Sequence, residues 1–202
     1  MRPLLLLCTV SHTAAWVAPH KLPAVRPTFI AKRSAPESSR MAVSAACGAV
    51  WVTGTVAVGA LPAVFVVQNL EPWYASLKKP VWSPPNNIFA PVWSTLYALI
   101  GFSCARTLGN VWLGRAPQPA LAVYLVQAVL NLSWAPIFFG AHRLRLGFFV
   151  STALLASAAA MAVVFGGAAG AFSAWLLAPY LGWLTFATAL NLRLWQLNGA
   201  HP

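Results

Sequence analysis

The sequence predicts an all-α integral membrane protein: a bundle of five transmembrane helices with a structured first loop over a central pocket. Composition gives the first reason. Only 7% of the 202 residues are charged and 59% are hydrophobic, whereas ordinary soluble domains carry about 25% charged residues. The second is that the apolar residues gather into five runs, each near the roughly 20 residues that cross a bilayer. The third is that the charges fall in the gaps between those runs, where a membrane protein keeps its topology signals.

Residues 1–40 read as a targeting presequence ahead of the membrane domain, residues 41–202. Residues 1–15 are signal-like, with Arg2, a short apolar run at 4–10 and the small residues Thr13, Ala14 and Ala15. Residues 16–40 are transit-like, with five basic residues, one acid, four prolines and three serines. The join Ala14-Ala15-Trp16 resembles the small-small-aromatic junction of bipartite plastid presequences, with Trp16 where Phe is usual. The reading is therefore an organellar membrane, a plastid envelope or other plastid membrane first and a mitochondrial membrane as the alternative.

The five spans are read at residues 46–69, 88–106, 120–139, 146–165 and 171–192. No charge occurs between Met41 and Leu70, and Pro62 is expected to kink that first span. The fourth span is rich in Ala and Ser, which favours close helix contact. The last two connections, one around His142 and a Gly-rich turn at residues 166–170, are short and force antiparallel neighbours. Lys78, Lys79, Arg143, Arg145 and Arg193 fall on one side of this topology, and Arg106 and Arg115 on the other. The positive-inside rule puts the first side toward the compartment of synthesis.

Formal net charge is +11, from 13 basic residues and two acids. Six of the basic residues lie in the presequence (Arg2, Lys21, Arg26, Lys32, Arg33, Arg40), and the other seven are scattered among apolar runs. They form no phosphate-binding stripe, so nucleic acid is not an expected partner; the lipid bilayer is. Cys8, Cys47 and Cys104 show no metal-ligand spacing, and a metal site is not expected.

Polar and aromatic residues inside the spans mark the candidate site. In the third span Tyr124, Gln127, Asn131 and Trp134 are offset by three, four and three, which places them on one helical face. Unpaired amides facing lipid cost several kcal/mol, so the stripe points inward. Interhelical hydrogen bonding and a cavity lining are both open readings of it. Trp93 and Tyr97 are i, i+4 on the second span, and Trp183, Ala187 and Leu190 share a face of the fifth. The loop from Glu71 to Asn86 alternates prolines with Trp73, Tyr74 and Trp82 and reads as a lid.

These residues carry a resemblance. Trp73-Tyr74, Leu77-Lys78-Lys79-Pro80, Trp82 with Pro84-Pro85-Asn86, Pro91-Val92-Trp93 and Leu96-Tyr97 open the pattern. Gln127, Leu130-Asn131, Trp134, Pro136-Ile137-Phe138-Phe139-Gly140, Pro179-Tyr180-Leu181, Trp183, Ala187 and Leu190-Asn191 continue it, with Trp195 and Asn198 beyond. The sequence resembles the tryptophan-rich sensory protein and translocator protein (peripheral benzodiazepine receptor) family over about residues 55–198.

The resemblance implies a membrane protein that binds porphyrins or other tetrapyrroles in a Trp-lined pocket, for sensing, scavenging or transport. A light-dependent porphyrin-degrading enzyme and a sterol or lipid transporter are the alternatives. It implies Trp73, Tyr74, Trp93, Tyr97, Gln127, Asn131, Trp134, Trp183, Ala187 and Leu190 as ligand-binding residues. Trp183 is then the catalytic residue of the enzymatic alternative. Porphyrin or haem is the implied ligand, with no covalent cofactor, and a homodimer is a possible assembly. Two departures stand out. Leu192 occupies the tyrosine position of the family's sterol motif, and the small-xxx-small pattern of the third span becomes Ala122 and Val126.

The chemistry for other enzyme classes is missing from the sequence. Glu71 is the only acid after residue 40, so paired-carboxylate mechanisms lack their parts. His12, His20, His142 and His201 all lie outside the spans, so an axial histidine to haem iron is not expected.

Overall fold

The structure, a computed structural model, describes residues 37–108 and 118–199, with side chains from residue 45 onward. The presequence reading of residues 1–40 therefore lies almost wholly outside the described residues, as do Arg115 and most of the second connection. Every regular element among the described residues is helical.

Helix α1 (Glu37–Ala60) stops just before Pro62, and α2 (Ala63–Asn69) starts just after it. Proline has no N–H for the ladder and its ring crowds the preceding turn. The expected kink is thus a real break, bridged by a bond from Leu61 N to Val58 O. A wide helical turn, Leu70–Tyr74, continues α2 past the expected end of the span. Within it Glu71 is extended and the Glu71–Pro72 peptide is cis. A 3-10 turn at Asn86–Ile88 leads into α3 (Phe89–Leu108). Helix α4 (Gln118–Ala135) passes into a second wide turn, Pro136–Gly140, at a proline again.

Helix α5 (Leu144–Ala169) corrects the expected Gly-rich turn. Gly166 and Gly167 remain helical, and only Gly170 breaks the chain, at φ 86, a value that L side chains rarely adopt. A short α6 (Ala171–Trp175) and the long α7 (Ala178–Asn198) make up the last span, which runs six residues beyond the expected Leu192. The helix continues past Arg193 because Leu194 and Trp195 pack into the bundle and Asn198 bonds the first loop. Among the described residues five segments are long and apolar enough to span a membrane: Ala45–Tyr74, Asn86–Leu108, Gln118–Gly140, Leu144–Ala169 and Ala171–Asn198.

Helix α1 lies along α3, while α5 packs against α4, α6 and α7. Lipid tails are as apolar as leucine, so close packing and hydrogen bonds, not water exclusion, hold such helices together. The close approaches sit at small residues. A Cβ on Gly101 would stand 2.7 Å from Val52 Cα, so α1 and α3 meet backbone to backbone. On α5, Gly147, Ser151, Ala158 and Ala162 are buried, which fits the expected role of that span as a packing surface.

Candidate functional site

Four of the expected site residues converge on a fifth that sequence reasoning did not place in the site. Tyr180 of α7 is fully buried. Its hydroxyl accepts hydrogen bonds from Gln127 Nε2 at 2.6 Å and Asn131 Nδ2 at 3.0 Å, both on α4. Asn131 Oδ1 accepts in turn from the Tyr97 hydroxyl of α3 at 2.9 Å. Trp93 closes the group, tilted against Tyr97 at 5.4 Å and edge-on to Tyr180 at 6.3 Å. Gln127 and Asn131 are buried and bond across helices, as the hydrogen-bonding reading of the α4 stripe expects. Tyr124, on the same stripe, packs instead edge-on to Trp51 of α1. A signal for Tyr180 was present in the sequence, since positions 180, 183, 187 and 190 share one face of a helix.

Four more expected residues belong to a second cluster at the loop end. Trp134 stacks on Phe138 at 5.1 Å, and Phe138 meets Phe139 edge-on at 4.9 Å. Trp73 sits edge-on to both phenylalanines and Tyr74 is buried against Phe139. Leu190 belongs to the same core. Proline at 136 opens the wide turn that presents Phe138 and Phe139, and Gly147 leaves room for Phe138, 2.8 Å from where a Cβ would stand.

The remaining two, Trp183 and Ala187, lie on α7 between the Tyr180 and Leu190 levels, which are about 15 Å apart at 1.5 Å per residue. Trp183 is edge-on to Phe89 and tilted on Phe186, and Phe186 meets Trp82 of the loop. The indole N–H groups of Trp183 and Trp134 are buried without a partner, as is Asn191 Oδ1. Asn191 Nδ2 is used by the Ala187 carbonyl, so its oxygen faces elsewhere. A buried polar atom left unpaired costs about 1–3 kcal/mol. Two indole donors and one amide acceptor in this part of the bundle are therefore left open, the indoles among aromatic rings.

The first loop is ordered by contacts that no local pattern announces. Asn198, at the end of α7, accepts from Lys78 N and donates to Lys78 O, both at 2.9 Å. His142 stacks on Trp73 at 4.1 Å with planes 12° apart, and its Nε2 lies 2.9 Å from Asn69 Oδ1. Asn69 Nδ2 is committed to Phe65 O, which assigns the N–H of that pair to His142. Lys79 Nζ rests 4.6 Å from the Tyr74 ring. The loop is thus structured, as expected, and Lys78, Lys79, Arg143, Arg145 and Arg193 share its end of the molecule.

Stacked aromatics, a central tyrosine–amide network and open indole donors suit a flat, mostly apolar ligand with a few polar edges. Among the described residues no group of three His, Cys, Asp or Glu could hold a metal ion. The fold and site define a class: a polytopic, five-span integral membrane protein with an aromatic, amide-centred interior under a tethered loop. The TspO/MBR family model matches residues 51–196, and the chain belongs to that family. Protein CrtK of Rhodobacter capsulatus is 41% identical over 155 residues, covering 76% of this chain and 94% of that protein. The translocator protein of Ovis aries is 41% identical over 129 residues, covering 62% of this chain and 75% of its own. The tryptophan-rich protein TspO of Chlorobaculum tepidum is 32% identical over 143 residues, covering 71% and 90%.

Proposed function

We propose that this protein binds porphyrins or related tetrapyrroles between the Tyr180 network and the loop-end cluster, for sensing, scavenging or transport. The observation that carries this reading is the buried, unpartnered indole N–H of Trp183, set among aromatic rings one turn from the small Ala187. A planar macrocycle offers faces for Trp93, Trp134 and Trp183, and its carboxylate edges would accept from open indole donors. Trp73 and Tyr74 form the lid side, and Gln127, Asn131 and Tyr97 keep the far wall in one geometry. The relative named translocator protein accords with a transporting role. The presequence pattern favours a plastid membrane, with a mitochondrial one as the alternative.

The test is a side-by-side titration with protoporphyrin, haem and cholesterol, read by tryptophan fluorescence quenching. Saturable quenching by the two tetrapyrroles supports the reading, and saturation by cholesterol alone favours the sterol alternative. The enzymatic alternative has one specific support: the indole of Trp183, an easier electron donor than a phenyl ring, shares the α7 face of Ala187 and Leu190 and keeps its N–H open. Trp183→Phe keeps an aromatic face, so affinity should fall by no more than about 1–2 kcal/mol. Light-driven loss of bound porphyrin should then slow sharply, with Trp195→Phe as control. Equal bleaching in wild type and Trp183→Phe leaves a binding protein without photochemistry.

A further inference from the structure

Arg145 stands in the first turn of α5, the positive end of that helix, where a cation is disfavoured. No acidic side chain accompanies it there, and Arg143 is the residue just before the helix. Its guanidinium lies 5.9 Å from the ring of Phe149 and 5.9 Å from that of Trp195. Those rings belong to one group with Phe148, spanning α5 and α7: Trp195 is 5.8 Å from Phe148 and 6.1 Å from Phe149. Topology rules explain why basic residues lie at this end. They do not explain why one guanidinium is propped on two rings, its N–H edges left to outside acceptors. Below it, toward the middle of the span, Leu146 and Phe149 are 48% and 50% exposed, an apolar surface continuous with the charge.

From this juxtaposition we infer that the α5–α7 seam at the loop end seats an anionic phospholipid. The phosphate meets Arg145, supported by Arg143, and an acyl chain lies along Leu146 and Phe149. Phosphate accepts from the planar guanidinium fork in two parallel bonds, which a choline headgroup's cation offsets and a phosphatidylglycerol headgroup does not. The anion also relieves the positive potential of Arg143, Arg145 and the α5 terminus, which no carboxylate of the first turn offsets. This seat is independent of what binds in the bundle interior.

The test is thermal unfolding of the full chain in neutral detergent with phosphatidylglycerol, phosphatidylcholine or water-soluble glycerol phosphate added. Saturating phosphatidylglycerol should raise the wild-type midpoint by about 5 °C over phosphatidylcholine, with no gain from glycerol phosphate. Arg145→Gln should lose most of that gain, and Trp195→Leu, which keeps every charge, about half. Arg193→Gln should retain it, because Arg193 is engaged with Gln196 at 3.1 Å and stands apart from the ring support. The proposal is overturned by equal gains from the two lipids, or by an undiminished gain in Arg145→Gln. An equal loss in Arg193→Gln also overturns it in favour of diffuse charge, and a gain from glycerol phosphate in favour of a free anion. Should Arg145→Gln not fold, judged by its midpoint in phosphatidylcholine, Arg145→Lys keeps the charge without the planar guanidinium fork and should lose part of the gain.

Discussion

Around Tyr180 the bundle is joined by directed bonds, whereas at the loop end it is joined by rings. Three side-chain hydrogen bonds of 2.6–3.0 Å link α3, α4 and α7 at the first place. At the second, Trp73, Trp134, Phe138 and Phe139 meet in stacked and edge-on pairs, and the Trp134 indole N–H has no partner. In a bilayer this difference matters, because apolar side chains gain little by leaving lipid. A directed network specifies one register of the helices, whereas ring-to-ring contacts impose a weaker directional preference. The molecule thus has one region joined by directed bonds and one joined by ring contacts, with Trp183 and Ala187 between them on α7.

The sharpest way to break this contrast is at the hub. Tyr180→Phe strands the Gln127 and Asn131 donors in the interior, and should cost about 2–4 kcal/mol of stability. Denaturation in detergent measures it, and a loss below about 1 kcal/mol would mean that the amides find other partners and the network is not what fixes the helices. Filling the space proposed for the ligand between the two regions should act on binding instead. On the proposed reading the added ring of Ala187→Phe enters ligand space and does not overpack a helix contact, so porphyrin binding is expected to weaken roughly tenfold or more while the unfolding midpoint stays near that of wild type. Unchanged affinity in the folded variant would move the pocket elsewhere.

The smallest expected effect concerns the tether of the loop. Asn198→Ala removes the paired bonds to Lys78, worth about 1 kcal/mol at an exposed site, so global stability should hardly change. Amide exchange of the segment around Lys78 should quicken, and porphyrin should associate and dissociate faster at nearly constant affinity. Unaltered exchange at Lys78 would show that Pro80, Pro84 and the Trp82–Phe186 contact alone keep the loop in place.

Much of this was legible before any coordinates. The five spans follow from charge exclusion, since a buried charge in lipid is costly enough to mark every gap. The break at Pro62 follows from a missing N–H, and the inward direction of Gln127 and Asn131 from the cost of an unpaired amide. Span ends were read less well: α5 runs through two glycines and α7 runs to Asn198, because neighbouring elements outweigh the weak local preference for stopping.

Which residues meet was decided by tertiary structure. Helical spacing put Trp134 on one stripe with Gln127 and Asn131, yet Trp134 stacks on Phe138 while the amides bond Tyr180. Spacing fixes a face of one helix and says nothing of the element opposite it. His142 on Trp73 and Asn198 on Lys78 join residues 69 and 120 positions apart, and each side chain taken alone is an ordinary loop or helix-end residue. What the sequence by itself determined is the membrane solvent, the number of spans and the chemical character of the interior, because each is imposed residue by residue by transfer free energy. The pairing of partners across helices is a property of the packed whole, where one arrangement satisfies the Tyr180 network and leaves the Trp183 indole open.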